Sequence, residues 1–521
     1  MNPAGANLFS QLFPATGDDA VAAVISPDGE RIEYDDLSRL AGCYANALVA
    51  AGLRPGDRLM AITDKSVAAI VLYLATLRAG GIYVPVNTAY TRAELEYFVH
   101  DARPAIVVGD PTREAELVAL CARQETRLLT MDSAGNGTLQ LAARDLPSDH
   151  AVVPVEPDDV AAILYTSGTT GRAKGAMLSH GNLLANARAL RSAWAFSADD
   201  VLVHALPIFH THGLFVGLNV SFLSRASIIL LRRFDPHVVA AQLPRATVLM
   251  GVPTYYSRLL AVPELPGLCR RVRLFISGSA PLLPATHGAW RARTGHDIVE
   301  RYGMTETTMI TSNPLDGPRK PGTVGRPLPG VTVRISDADA HGIGMIQVAG
   351  PNVFRGYWQM PEKTAAEFTA DGFFITGDLG RIDDDGYLHI VGREKDVIIT
   401  GGYNVYPKEV ESVIDAFDGV AETAVFGLPD QDLGERVIAA IVPDGGAVIE
   451  RAALERYLAD RLARYKRPRE VVFVSELPRN VMGKVQKSVL RGDPRVGLAA
   501  TPNEPASSTP HPELTRKKQT T

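Results

Sequence analysis

Strand-length apolar runs alternate with helix-length amphipathic segments through most of this chain, and that alternation limits the possible folds more than any other feature. The runs RLMAITD, GIYVPVN and AIVVGD are predicted to be buried strands, and residues 65–78 and 91–101 are predicted to be helices. Repeated alternation of this kind is typical of α/β layers with largely parallel sheets. The apolar stretch from Val67 to Leu77 is about half the ~20 residues that a membrane-spanning helix needs, so we predict a buried helix and no membrane partner.

The pattern changes twice toward the C-terminus. From about Gly322 the chain has short strands separated by Gly-rich turns, which predicts a small antiparallel or barrel-like subdomain. After Arg393 a new α/β pattern begins with VIITGGYNV and continues for about one hundred residues, the size of a compact domain. The stretch from about Gly492 is rich in Pro, Ser and Thr, and we predict a disordered tail there.

Composition and charge exclude several classes of protein. The 521 residues include 53 Lys and Arg against 58 Asp and Glu, a net charge of −5, so no overall basic field favours nucleic acid. The three cysteines, Cys43, Cys121 and Cys269, share no metal-ligand spacing, and so sparse a count suits a reducing compartment. The first residues lack the basic region and apolar run of a secretory signal. We therefore expect a cytoplasmic protein.

The segment AAILYTSGTTGRAKGAMLSHGNL carries the strongest chemical signal. An apolar strand runs into a loop of hydroxyl residues and glycines, then Lys174, then a helix predicted to begin near Ser179. Glycines let successive backbone N–H groups point at one anion, and the hydroxyls and the lysine add further donors. The loop is not a Walker A motif, because Gly175 follows Lys174 where that motif has Ser or Thr. We predict a polyphosphate-binding loop.

YTSGTTGRAKG resembles the phosphate-binding signature of the adenylate-forming enzymes, which include acyl-CoA synthetases, peptide-synthetase adenylation domains and luciferases. Four further motifs of that family follow in the family's order: ERYGMTET, TGDLGRID, GREKDVIITGGYNVYPKEVE and LPRNVMGKVQK. The resemblance covers the chain except its tail. It implies an α/β fold with a large N-terminal domain (residues 1–393) made of two α/β sheets and a small β-barrel-like subdomain. A small mobile α+β C-terminal domain (residues 394–492) and a tail (residues 493–521) complete the expected organisation.

The resemblance also implies a reaction. The family couples a carboxylate to ATP, releases pyrophosphate, and passes the acyl group of the adenylate to a thiol. Positioning and charge neutralisation dominate such chemistry. Glu306 and Thr166 would hold Mg²⁺, Thr305 would contact the α-phosphate, and Tyr302 would lie against the adenine. The full nucleotide set implied is Thr166, Ser167, Gly168, Thr169, Thr170, Gly171, Lys174, Ser279, Glu300, Arg301, Tyr302, Thr305, Asp378 and Arg393, with Asp378, in a Gly-flanked turn, on the ribose.

Two half-reactions require two arrangements of the site. Lys484 matches the catalytic lysine that bridges the substrate carboxylate and the α-phosphate, and one compact ammonium suits two anions. The family rotates its small domain about a hinge at the position of Lys395, which removes the lysine and brings up the CoA-binding segment. The residues implied for CoA are Gly401, Gly402, Tyr403, Lys466 and Arg467.

The acyl group is predicted from three segments, LPIFHTHGLFVG, GVPTYYSRLL and FISGSAPLL, which resemble the acyl pocket of the malonyl-CoA synthetase branch. Arg258 is expected on a helix at the pocket floor, where a fatty-acid or aryl-acid pocket would be apolar. Together with Arg301, His212 and Ser279 it would give a cationic pocket for a second carboxylate. We predict an ATP-dependent acid–thiol ligase that acts on malonate or methylmalonate with ATP, Mg²⁺ and CoA.

Other hypotheses stay open at this point. The chain could be a ligase for another short acid, or an adenylation module that loads a carrier protein, although no carrier segment follows the small domain. A luciferase-like oxygenase would need an apolar aromatic pocket, and an inactive adenylate-binding regulator would not need Lys484, Glu306, Asp378 and Arg393. An Arg258 that pairs with an acid and faces solvent would remove it from the pocket. No obligate protein partner is evident.

Overall fold

The computed structural model of the protein describes residues 5–14, 21–122, 124–166, 173–480 and 483–493. They form two compact units. The first contains the described residues up to Lys395 together with Gly483 and Lys484, and the second contains the described residues from Asp396 to Asn480 and from Val485 onwards. Apart from Asp493, the predicted tail lies outside the described residues.

The strands carry most of the site, and their labels follow chain order. They are β1 (Ala22–Ile25), β2 (Arg31–Glu33), β3 (Arg58–Ile62), β4 (Ile82–Pro85), β5 (Ile106–Gly109), β6 (Arg127–Thr130), β7 (Val160–Thr166), β8 (Lys174–Ser179), β9 (Val201–His204), β10 (Ser227–Leu230), β11 (Val248–Gly251), β12 (Leu274–Ser277), β13 (Ile298–Met304), β14 (Thr308–Ser312), β15 (Arg326–Pro327), β16 (Thr332–Ser336), β17 (Gly344–Ala349), β18 (Phe374–Ile382), β19 (Leu388–Arg393), β20 (Ile398–Thr400), β21 (Tyr403–Val405), β22 (Val420–Asp430), β23 (Gly434–Pro443) and β24 (Glu470–Phe473).

The helices alternate with these strands through most of the first unit. They are α1 (Leu8–Leu12), α2 (Tyr34–Ala50), α3 (Val67–Arg78), α4 (Arg92–Ala102), α5 (Glu114–Cys121), α6 (Thr138–Ala143), α7 (His180–Ala193), α8 (Val220–Leu223), α9 (Pro236–Gln242), α10 (Pro253–Leu259), α11 (Leu265–Leu268), α12 (Pro284–Thr294), α13 (Pro361–Ala366), α14 (Pro407–Ile414), α15 (Arg451–Ala459) and α16 (Lys487–Arg491). A π-helix spans His212–Asn219, and short 3₁₀ turns include Glu394–Asp396 and Arg464–Lys466.

The first unit contains two large α/β sheets, as expected. One has the strand order β6-β5-β3-β4-β7-β8 and the other β15-β14-β13-β12-β11-β9-β10-β1-β2. Both are mostly parallel, with antiparallel pairs at their edges. The predicted buried helix is α3, in which every residue from Ala69 to Leu77 is buried. Ser66 begins it by accepting a hydrogen bond from the Ala69 N–H at 3.1 Å.

A smaller antiparallel sheet with the strand order β16-β17-β18-β19 follows, which confirms the antiparallel subdomain. One local prediction, the position of Asp378, was wrong. Asp378 was predicted to lie in a turn, but it lies within β18 and faces Arg393 of β19 in the strand register. Gly377 has a φ of +71°, and the register shifts beside Leu379, so this strand contains a local irregularity where the glycines lie. The irregularity explains why TGDLG resembles a turn in sequence.

The second unit is a small α+β domain. Its sheet has the order β21-β20-β23-β22, and β24 pairs in parallel with β23. Val410 and Ile414 of α14 and Leu454 of α15 share one apolar core with this sheet. No helix in the described parts of either unit is long and apolar enough to span a bilayer.

Candidate active site

The two ends of the predicted phosphate loop lie side by side. Thr166 ends β7 and Lys174 begins β8, and the two residues are partners in the antiparallel register. The loop residues Ser167, Gly168, Thr169, Thr170 and Gly171 lie outside the described residues. The helix predicted near Ser179 is α7, and Ser179 caps it by accepting from the Asn182 N–H at 3.1 Å. Strand β8 was not predicted, and it directs Lys174 back beside the end of β7.

Lys174 belongs to a network of buried and half-buried groups. Its Nζ lies 3.0 Å from Glu367 Oε1 and 4.1 Å from the centre of the Tyr357 ring. The Tyr357 hydroxyl lies 2.7 Å from Glu367 Oε2 and 3.0 Å from Glu306 Oε1. A phenol has one proton, so it donates to only one of these carboxylates at a time. Burial raises the pKa of Glu306, and the charge of Lys174 offsets this rise only in part.

This environment fits Mg²⁺. The described residues contain no cluster of three or more His, Cys, Asp or Glu side chains that could enclose an ion. Mg²⁺ is commonly held by one or two carboxylates and by substrate phosphates instead. The buried carboxylate of Glu306 forms no direct ion pair among the described residues, and Tyr357 links it to Glu367, which contacts the phosphate-loop Lys174. A divalent cation held here between Glu306 and phosphate oxygens would compensate the buried charge.

Three predicted nucleotide residues meet at one point. The Tyr302 hydroxyl donates to Asp378 Oδ2 at 2.5 Å, and Arg393 Nε lies 3.0 Å from Asp378 Oδ1. Burial and the neighbouring Asp378 carboxylate both raise the pKa of Tyr302, so the phenol keeps its proton. Thr305 lies half-buried in the turn between β13 and β14. Glu300 has a different environment, because its Oε1 accepts from the Leu282 N–H at 3.2 Å and holds the segment after β12.

Residues predicted for the substrate carboxylate converge beyond the ends of β9 and β12. Ser279 Oγ lies 3.3 Å from His212 Nδ1, and Ser279 adopts a positive φ of 71°. Arg301 lies in β13 and packs against the backbone of Gly278, where an added Cβ would lie only 2.5 Å from Arg301 Cζ. Ligands of α/β sheets bind outside the carboxyl ends of the strands, which is where His212 and Ser279 lie.

The Arg301 guanidinium has an unusual environment. The residue is 3% exposed, and its Nε and Nη2 have no hydrogen-bond partner among the described residues. Burial lowers its pKa to about 9, so it is still protonated at neutral pH. His212 Nε2 and Thr211 Oγ1 are also buried and without partners in the described part of the chain. Burial and Arg301 lower the pKa of His210 to about 4, so that imidazole is neutral. An unpaired buried cation among neutral donors is suited to an anionic ligand.

Arg258 lies on a helix, as predicted, and its place at the floor of the acid pocket stays a prediction. It is exposed on the last turn of α10, and no hydrogen bond or ion pair of its guanidinium is present within the described residues. Tyr256 and Leu259 form the buried face of α10. Arg258 follows Tyr256 by two residues, a rotation of about 200° on an α-helix, so it points away from that face. The buried arginine of this region is Arg301 instead.

The second unit carries the residues predicted for CoA. Gly401 and Gly402, with φ of +56° and +82°, form the exposed turn between β20 and β21. Next to them Tyr403 stacks on Tyr465 with 4.7 Å between ring centres. Lys466 Nζ lies 2.6 Å from Glu409 Oε1.

Arg467 is engaged elsewhere, because it donates to the carbonyls of Leu462 and Ala459 at the end of α15. Lys484 is exposed and precedes Val485, which forms an isolated β-bridge with Arg479. The predicted hinge residue Lys395 lies in the 3₁₀ turn in which the chain passes from the first unit to the second.

Several residues of this site were not predicted from sequence. Tyr357 and Glu367 connect Lys174 to Glu306, although Glu367 is 193 residues from Lys174 in the chain. Gly278 makes room for Arg301. In the sequence, only the small residues on either side of it, in SGSA, indicated a close packing contact there. His210 stands two residues before His212 in FHTHG, but only His212 was predicted to belong to the site.

The fold and the site define an adenylate-forming enzyme. The sequence matches the AMP-binding enzyme family over residues 14–358 and the AMP-binding enzyme C-terminal domain over residues 409–484. The chain therefore belongs to the AMP-binding enzyme family, which confirms the resemblance drawn from its motifs. It is an AMP-forming acyl-CoA ligase, and the expected ATP, Mg²⁺ and CoA are the cofactor and co-substrates of that class.

Particular relatives refine this class. The chain is similar to ATP-bound MatB from Rhodopseudomonas palustris, with 55% identity, a TM-score of 0.92, and 94% of this chain and 99% of that chain covered. It is 35% identical to a malonate–CoA ligase of Arabidopsis thaliana, over 93% of this chain and 88% of the relative. It is also 36% identical to a feruloyl-CoA synthase of an Amycolatopsis species, over 90% of this chain and 95% of the relative.

Proposed function

We propose that this enzyme converts malonate, ATP and CoA to malonyl-CoA, AMP and pyrophosphate through malonyl-AMP. The observation that carries the proposal is the buried Arg301 guanidinium with two unpaired nitrogens, beside His212 and Ser279. A charge buried without a partner is strongly unfavourable, so a ligand anion there would be bound tightly. Malonate offers such an anion on the carbon next to the reacting carboxylate. The similarity to a malonate–CoA ligase supports the same substrate.

In the first half-reaction, the protein positions two anions and neutralises charge. Lys174 and the loop between β7 and β8 would hold the triphosphate, and Glu306 would bind the Mg²⁺ that supplies divalent charge to it. Asp378, oriented by Tyr302 and Arg393, would accept hydrogen bonds from the ribose hydroxyls. Lys484 would donate to both the attacking carboxylate and the α-phosphate as the new acyl–phosphate bond forms and pyrophosphate leaves.

In the second half-reaction, the CoA thiol attacks the acyl carbon and AMP leaves. We propose that the chain rotates about Lys395 and that the Gly483–Lys484 segment, which belongs to the first unit in this structure, moves away with the second unit. Lys484 then withdraws and the Gly401–Gly402 turn approaches the site. The exposed turn lacks side chains, which allows a pantetheine arm to approach the backbone closely. Tyr403 follows this turn and stacks on Tyr465, the neighbour of Lys466, whereas Arg467 already donates to the carbonyls of Leu462 and Ala459.

Methylmalonate or another short acid is the second candidate, because Arg301 would recognise any distal carboxylate of similar reach. The similarity to a feruloyl-CoA synthase raises an aryl acid as a competitor. A buried unpaired guanidinium disfavours that substrate, because an aryl group would leave the guanidinium unsatisfied. The cytoplasmic location and the lack of an obligate protein partner stay predictions.

The experiment is a substrate panel measured by pyrophosphate release. The enzyme is assayed with ATP, Mg²⁺ and malonate, methylmalonate, acetate, propionate, ferulate or octanoate, each with and without CoA. We expect kcat/KM for malonate to exceed that for acetate and propionate by about 10²–10⁴, the value of two charge-assisted hydrogen bonds. A higher kcat/KM for ferulate or octanoate than for malonate would end the malonate proposal while leaving the ligase class intact.

A further inference from the structure

A buried lysine outside the residues discussed so far joins the two large sheets. Lys65 follows β3, is 8% exposed, and directs its amine at β9 of the other sheet. Its Nζ lies 2.7 Å from His204 Nδ1 and donates to the His204 carbonyl oxygen at 2.8 Å. No carboxylate pairs with this amine in the described residues. Burial lowers the pKa of Lys65 well below its usual value, as expected for an amine without a counter-ion.

His204 also contacts the segment that follows β9. It is the last residue of β9, and its Nε2 lies 2.9 Å from the Gly213 carbonyl oxygen. A carbonyl oxygen only accepts, so Nε2 carries the proton. Burial and the Lys65 amine lower the pKa of His204 to about 3, which keeps the ring neutral. Its Nδ1 therefore accepts a hydrogen bond from Lys65. The contacts of the two ring nitrogens, with Lys65 and with Gly213, together fix the tautomer of His204.

The segment that His204 contacts is the π-helix His212–Asn219, which begins with a residue of the proposed acid pocket. Two glycines of this π-helix pack closely against neighbouring atoms. A Cβ on Gly217 would lie 2.6 Å from His204 Nε2, and one on Gly213 would lie 2.1 Å from the Pro207 carbonyl oxygen. π-helical turns are rare and are often found at functional sites. The histidine ring therefore fits under the π-helix only because Gly217 lacks a side chain, and Gly213 lets the start of the π-helix lie close to the Pro207 backbone.

We propose that Lys65 and His204 are positioning residues for the acid substrate, holding the start of the π-helix so that His212 faces Ser279 and the buried Arg301. Neither residue touches the substrate in this account. Lys65 fixes the His204 tautomer, His204 fixes the Gly213 carbonyl, and Gly213 directly follows His212. The inference rests on the proposed function, because it assigns His212 to the acid pocket.

Two substitutions of His204 separate its two contacts. In His204→Gln the amide nitrogen reaches the place of Nε2 and still donates to Gly213. In His204→Asn the shorter amide reaches only the place of Nδ1, so it keeps the contact with Lys65 and loses the one with Gly213. Lys65→Met removes the amine at similar volume. His237→Asn, on the exposed start of α9, is the matched control.

Kinetics of pyrophosphate release distinguish positioning from general stabilisation. We expect His204→Asn and Lys65→Met to raise the KM for malonate about tenfold, with the KM for ATP changed by less than about twofold. His204→Gln should stay within about threefold of the unmodified enzyme. A purely structural role predicts a lower melting temperature and less active protein with both KM values unchanged, and that result would overturn the inference.

Gly217→Ala keeps the test decisive if the buried substitutions do not fold. Its Cβ would displace the His204 ring tip, so the KM for malonate should rise while the KM for ATP stays within about twofold. Where His204→Asn does fold, Gly217→Ala should add little in that background, because the ring is absent. An unchanged KM in Gly217→Ala contradicts the inference. If the unmodified enzyme releases no pyrophosphate with malonate, the proposed function fails, and the same KM comparison is made with the acid that it does activate.

Discussion

Replacing Arg301 by Met tests whether the buried guanidinium binds the distal carboxylate. The side chain is 3% exposed and fills space beside Gly278, so an unbranched apolar residue of similar length keeps most of the packing. Nε and Nη2 have no protein partner among the described residues, so no hydrogen bond of theirs within this part of the fold is lost. The substitution therefore removes the charge that the substrate would meet and little else.

The expected magnitude follows from those two nitrogens. Each charge-assisted hydrogen bond to a carboxylate contributes roughly 1.5–3 kcal/mol, so two contribute about 3–6 kcal/mol. At tenfold per ~1.4 kcal/mol, kcat/KM for malonate should fall by about 10²–10⁴. The stability of the enzyme without ligand should rise, although its activity falls. Replacing an uncompensated buried charge by an apolar side chain should raise the free energy of unfolding by roughly 1–4 kcal/mol.

The assay combines pyrophosphate release with thermal unfolding. Arg301→Met should lose activity with malonate, hold or gain activity with butyrate, and melt at a higher temperature than the unmodified enzyme in the absence of ligand. Arg291→Met is the matched control, because that side chain is 70% exposed and its ion pair with Asp297 is long, at 3.5 Å. Unchanged kcat/KM for malonate in Arg301→Met, with a lower melting temperature, would refute the reasoning.

Three further predictions concern the other proposed residues. Lys484→Ala should abolish formation of malonyl-AMP but largely spare thioester formation from supplied malonyl-AMP, and equal losses in both half-reactions would contradict a role in one arrangement only. Lys395→Pro should impair CoA transfer more than adenylation, because Pro fixes a φ that the hinge must change, and an equally large adenylation defect would remove the hinge assignment. Arg258→Met should lower kcat/KM for malonate less than Arg301→Met does, because Arg258 is exposed. A steeper loss would show that Arg258 turns toward the substrate.

The elements that the sequence predicted well are those with strong periodicity. β3, α3, β4, α4 and β5 were all found, and the helix starts differed by one or two residues because Ser66 and Thr91 are caps rather than helical residues. β8 was missed because a strand of Gly, Ala and Met directly before a capped helix has no alternation to detect. Asp378 was predicted to lie in a turn because glycines flank it. Glycines are equally common at an irregularity within a strand, and that is where Asp378 lies.

Residues of the candidate site could be predicted only where they belong to a recognisable sequence motif. Tyr302, Asp378 and Arg393 come from three separate motifs and do meet in space. Contacts between distant segments leave no such signal, as with Lys65 and His204, which are 139 residues apart. The sequence also could not show that Arg301 is buried and Arg258 exposed, because that depends on how β13 and α10 pack in the fold.

The central claim, that the enzyme activates malonate as an adenylate and transfers it to CoA, is tested most directly by trapping the intermediate. Enzyme in excess is mixed with ATP, Mg²⁺ and labelled malonate without CoA, quenched with acid, and the products are identified by mass spectrometry. The account predicts one malonyl-AMP and one pyrophosphate per active site, and conversion of the label to malonyl-CoA when CoA is added. ADP and phosphate as products, or malonyl-AMP that CoA does not consume, would contradict it.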